Sequence, residues 1–139
     1  MFKQLEKYKQ GQYTLNINES HSKKCNAPKN GRGVYLVYDK NDLIYISSSG
    51  RVTNNEPEPK IRVADGGGLW GRLTGGKLPN GKRIHKRLES DNINSVLIKW
   101  FLTYDDINFK DRPEDVRDIL KTEYVKLKGE LPVWNREKK

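Results

Sequence analysis

Only one cysteine, Cys25, and two histidines occur among the 139 residues. A single thiol excludes an intramolecular disulfide framework. So short a supply of Cys and His also argues against a structural zinc site. Long apolar runs are missing too, and none approaches the roughly 20 residues of a membrane span. The opening MFKQLEKYKQ lacks the apolar segment of a secretory signal. Together these absences predict a cytoplasmic protein of one domain with no membrane partner. Hydrophobic residues are sparse at 34%, against 32% charged, and mean hydropathy is −0.92. Yet three Trp, seven Tyr and three Phe are too many for a disordered chain. One small core under a charged surface is expected.

Negative charge is the other shortage. Lys and Arg number 27 against 18 Asp and Glu, a net charge of +9, and the pI is about 9.6. A short chain with this balance attracts polyanions, of which nucleic acid is the commonest. A generally lysine-rich surface would give the same total. Distribution favours a basic face. Residues 71–88 carry Arg72, Lys77, Lys82, Arg83, Lys86 and Arg87 with no acid. Asp105, Asp106, Asp111, Glu114, Asp115 and Asp118 gather instead in 105–118.

The local pattern predicts an α+β fold. Residues 1–32 read as an N-terminal arm or extension, with a helix in 1–11 and an edge strand over 12–17. The β-branched and aromatic runs Gly33–Tyr38 and Leu43–Ser47, joined by Asp39-Lys40-Asn41-Asp42, read as a hairpin. Ser95–Thr103, apolar on both faces, reads as a central covered strand. Short helices are expected over 69–75 and 81–89. A longer one opens at Pro113 and stops at Gly129, with Val116, Ile119, Leu120 and Leu127 as its apolar stripe. The expected architecture is a small antiparallel sheet of about three strands flanked by helices.

Four positions stand out for chemistry. With the turn centred on Lys40, Tyr35 and Tyr45 oppose each other directly and share one face; packing in the core explains such a pair equally. Glu123 falls three residues after Leu120 and four before Leu127, on the apolar stripe. A carboxylate there needs a cationic partner or a metal ion. Arg72, in a loop-to-helix transition, offers a fork for phosphate oxygens or is simply a surface cation.

These residues resemble the GIY-YIG nuclease superfamily. Gly33-Val34-Tyr35 stands for its first motif, and Tyr45-Ile46-Ser47 follows ten residues on for its second. Arg72, Glu123 and Asn135 take the places of the family's arginine, glutamate and asparagine in order. The surroundings of Arg72 look most like the restriction-enzyme and stand-alone branches. The resemblance implies residues 33–139 as a GIY-YIG-like domain and a DNA endonuclease dependent on Mg²⁺ or Mn²⁺. Glu123 would hold the metal, Arg72 would stabilise phosphate charge, and Tyr35 would act as general base. Tyr45 would hold phosphate or water, and Asn135 would orient Glu123 or the DNA. Lys77, Lys82, Arg83, His85, Lys86 and Arg87, with Arg72, would grip double-stranded DNA. Three departures accompany it. Ser47 replaces a glycine. Gly76 stands where some members carry a helper residue. A rival alignment through Pro113 and Val116 puts Arg117 at the glutamate's position, which implies a non-cleaving nucleic-acid-binding module of the same fold.

Overall fold

The computed structural model describes residues 2–49, 68–79, 81–105 and 108–136. Four antiparallel strands form one sheet: β1 (Lys9–Asn16), β2 (Arg32–Asp39), β3 (Asp42–Ser48) and β4 (Ser95–Tyr104). Their order is β1-β4-β2-β3. Among the described residues, four α-helices accompany them: α1 (His21–Lys24), α2 (Gly68–Gly75), α3 (Ile84–Ser90) and α4 (Pro113–Lys128). The α+β class is as the pattern predicts. The edge strand expected over 12–17 forms as β1 and makes the sheet one of four strands rather than about three. β1 pairs with β4 from Lys9↔Leu102 to Asn16↔Ser95, and Leu15 on it is wholly buried. The long apolar run of β4 sits second from the edge, between β1 and β2, as its burial requires.

Two clusters cover the sheet's two faces. On one face Tyr13, Tyr35, Val37, Ile98 and Trp100 meet Leu69 and Leu73 of α2, Ile84 and Leu88 of α3, and Trp134. On the other, Val34, Leu36, Ile46 and Phe101 meet Phe2, Leu5 and Tyr8, together with Val116 and Leu120 of α4. α4 starts at Pro113 and ends where Gly129 adopts φ 86°, the left-handed conformation that glycine tolerates best. Its buried stripe is Pro113, Val116 and Leu120, continued by partly buried Tyr124. Ile119 and Leu127, expected on that stripe, are 58% and 61% exposed. The stripe therefore sits to one side of the expected one.

The hairpin turns through Lys40, at φ 57°. A bulge between Val37 and Tyr38 shifts its register, so Tyr35 faces Ser47 and Val37 faces Tyr45. The tyrosines are thus diagonal neighbours rather than a direct pair, yet the period of two keeps them on one face. Gly33 is required by the sheet: a Cβ there would lie 1.8 Å from the Phe101 carbonyl oxygen. Among the described residues, no helix is long and apolar enough to cross a membrane.

Candidate nucleic-acid interface

Tyr35 and Tyr45 lie under α2, edge to face, with ring centroids 6.0 Å apart and planes at 64°. Both are buried, at 6% and 3% exposure, and Tyr45 also packs against Trp134 at 6.2 Å. Core packing is therefore part of their role. The Tyr35 hydroxyl lies within electrostatic reach of Ser47, across the hairpin, and of Arg72 of α2. Burial, reinforced by the neighbouring Tyr45, pushes its pKa up to about 12, against the opposing pull of Arg72 and Ser47. A general base requires the opposite shift. At neutral pH this phenol keeps its proton in the fold described.

Arg72 is partly buried, and its Nε has no hydrogen-bond partner among the described residues. Gly76 explains its pose. A Cβ there would lie 2.9 Å from the Arg72 Cδ and 2.4 Å from its carbonyl oxygen. The helper position is thus glycine because the arginine folds across it.

The sheet's opposite face holds Glu123. Its carboxylate accepts a 2.9 Å hydrogen bond from Gln4 Nε2, beside the N-terminal 3₁₀ turn Lys3–Lys7. The structure therefore does not join Glu123 to Tyr35 and Arg72. The reason is the rotated stripe of α4, which turns Val116 and Leu120 inward and leaves residue 123 on their flank. Arg117 instead donates from Nη1 to Ser48 Oγ at 3.2 Å, one residue past the Ser47 that faces Tyr35. Among the described residues, no group of three or more His, Cys, Asp or Glu side chains is arranged to hold a metal ion. Glu123, the expected ligand of Mg²⁺ or Mn²⁺, is bonded to Gln4 and lies apart from Tyr35 and Arg72.

Asn135 lies on the edge of β3. Its Oδ1 accepts from the Ile46 N–H and its Nδ2 donates to the Ile46 carbonyl, both at 2.8 Å. It orients a strand rather than Glu123. Within the basic segment the residues divide. Lys77, Lys82, Arg83 and Lys86 are exposed. Arg87 is 4% exposed, bonded through Nε to Asp91 at 2.8 Å and set 5.1 Å from the Trp134 ring centroid. It is a structural cation and not a phosphate contact. Asp91 also accepts from Trp134 Nε1 at 2.9 Å. Burial raises the Asp91 pKa, but the bonds from Arg87 and Trp134 outweigh it and hold the carboxyl below its usual value.

His85 also faces inward, with Nε2 2.7 Å from the Glu19 carbonyl oxygen. Its neighbour His21 is 5% exposed and shares a 2.6 Å hydrogen bond with the Tyr13 hydroxyl. Burial, with a contribution from His85, lowers the His21 pKa to about 4. The folded state then binds fewer protons than the unfolded chain between the two pKa values. Stability from this group is full above about pH 6.5 and is lost as pH falls toward 4, a loss of about 3 kcal/mol. Urea midpoints followed by circular dichroism between pH 7 and 4.5 should show it. His21→Gln should flatten that slope relative to the parent, and an unchanged slope would contradict the assignment.

Sequence reading missed one part of the basic face. α1 packs against α2, bringing Lys23 and the nearby Lys29, both exposed, to the side of the sheet that carries Arg72. The Ser-Lys-Lys run was visible, but its distance along the chain hid the neighbourhood. Comparison with protein-family models, curated proteins and solved structures finds no match to this chain.

Proposed function

We propose that the protein binds nucleic acid through its phosphate backbone, as a non-cleaving module with a GIY-YIG-like hairpin. The observation that carries this reading is the Arg117 guanidinium at Ser48, with the Glu123 carboxylate turned to Gln4. Ser47 and Ser48 sit side by side at the end of β3, one toward Tyr35 and Arg72, the other toward Arg117. Two guanidiniums thus flank one strand end from opposite faces. Arginine forks onto phosphate oxygens with charge-assisted bonds; Arg117 already pairs with Asp118 at 3.0 Å, so Arg72 is the fork on which this reading relies. Exposed Lys77, Lys82, Arg83 and Lys86 extend the positive surface. Contacts of this kind give affinity and register without reading sequence.

Double-stranded DNA is the first polyanion to test. Affinity should fall with salt at a log–log slope of about −0.9 per phosphate neutralised. Replacing Lys82, Arg83 and Lys86 by Gln should flatten the slope without unfolding the protein. Plasmid should be retarded yet stay intact with Mg²⁺ or Mn²⁺. The convergence of Tyr35, Tyr45 and Arg72 favours a second reading, hydrolysis of the phosphodiester. Metal-dependent nicking that Glu123→Gln abolishes would establish it and overturn the first. Binding that ignores salt, or none at low salt, would defeat both.

A further inference from the structure

Trp70 differs from the other two tryptophans. Trp134 is fully buried and Trp100 is 5% exposed, and their indole N–H groups donate to Asp91 and Asn26. Trp70 is only partly buried against the core, and its indole N–H has no hydrogen-bond partner among the described residues. The Lys29 ammonium sits 4.5 Å from its ring centroid. Backbone bonds fix this pairing. The Trp70 N–H donates to the Pro28 carbonyl at 3.1 Å, and the Leu69 N–H donates to that of Gly31 at 3.0 Å. The loop bearing Lys29 is thereby tied to the first turn of α2.

Helical geometry relates this pair to Arg72. Leu69 and Leu73 point into the core. At 100° per residue, Trp70 and Arg72 then lie on opposite flanks of that buried line. They straddle α2, whose width with side chains is about 10–12 Å. One flank offers a charged fork, the other an aromatic plane beside an ammonium group.

We propose that Trp70 and Lys29 form a stacking platform for an unpaired base, so that the bound nucleic acid carries a single-stranded segment across α2. A nucleobase presents an apolar face to the indole, and Lys29 moves from the ring to the adjoining phosphate. Aromatic planes interleaved with cations are how proteins hold single strands without reading sequence. In a blunt duplex the bases are stacked on one another and cannot use the platform. This inference rests on the nucleic-acid-binding reading above.

The test uses the full chain with three probes: a mixed-sequence single strand, the same length with abasic sites throughout, and a blunt duplex. Tryptophan fluorescence reports stacking, and its difference from the Trp70→Phe spectrum isolates Trp70. The base-bearing strand should quench it, whereas the abasic strand should not. Trp70→Ala should weaken single-strand binding roughly 5- to 150-fold, the loss of one stacked base, and leave duplex affinity within about twofold. Trp70→Phe, which keeps an aromatic plane, should recover most of it and controls for folding. Equal quenching by the abasic strand, or unchanged single-strand affinity in Trp70→Ala, would overturn the platform while salt-dependent binding survives. Failure of the parent protein to bind any of the three probes would overturn the binding reading as well.

Discussion

Arg72→Ala is expected to weaken polynucleotide binding by about 10- to 150-fold, the equivalent of a charge-assisted hydrogen bond worth roughly 1.5–3 kcal/mol. The fold should remain, because the buried side of α2 is carried by Leu69 and Leu73. Arg72 has more to lose than Lys82 or Lys86. It is already partly desolvated, its Nε lacks a partner among the described residues, and it lies beside a phenol that keeps its proton. Exposed lysines act through a screened field and should each cost less. Arg72→Lys should recover only part of the loss, since an ammonium cannot fork onto two oxygens. Fluorescence anisotropy with a labelled oligonucleotide at fixed ionic strength measures all three. Affinity within twofold of the parent for Arg72→Ala would remove Arg72 from the interface.

The largest stability effect is expected at the C-terminal 3₁₀ turn. Trp134→Ala should cost about 3–5 kcal/mol, the range for deleting a fully buried large aromatic. Its ring contacts Tyr45, lies beside the Arg87 guanidinium and donates to Asp91. The substitution therefore leaves a cavity under the tyrosines and strips a donor from Asp91. Trp134→Phe keeps most of the volume and should cost less. Chemical denaturation reads both, and a loss below about 1 kcal/mol for the alanine variant would contradict the packing described, since such a loss is typical of surface positions.

The hairpin, the covered β4 strand and the capped α4 helix were legible because each rests on local signals. Those signals are β-branched alternation, an unbroken apolar run, and proline and glycine at the helix ends. β1 was legible as an edge strand, but its start at Lys9 and its pairing with β4 were not. Its Lys9, Gln10 and Gln12 belong to an edge strand, so only Tyr13 and Leu15 face the core. Glu123 shows where the periodicity argument fails. Counting Ile119 and Leu127 as core placed Glu123 between buried residues. In the fold both are exposed, because the inward direction of α4 is set by contact with the sheet and with Phe2 and Leu5. Tyr35 was singled out by its spacing to Tyr45 and Arg72 by its loop-to-helix place, but the burial that keeps the Tyr35 proton in place has no local signature. Arg87 resembled its basic neighbours for the same reason. Nothing nearby in the sequence announces that Trp134 will close over it.

Asn135 has a consequence beyond the position of one side chain. β3 ends the sheet, and the edge of a sheet exposes main-chain donors and acceptors that invite another chain to extend it. At Ile46 both groups are already taken by one carboxamide, which imitates a single peptide unit of a fifth strand and goes no further. Asp42 at the start of β3 and Lys40 in the turn place charges at the other end of that edge. Among the described residues, the turn that carries Asn135 thus blocks one peptide position of the β3 edge against strand addition. Unpinning that turn would open the edge to self-association, in a chain whose net charge of +9 otherwise keeps its copies apart.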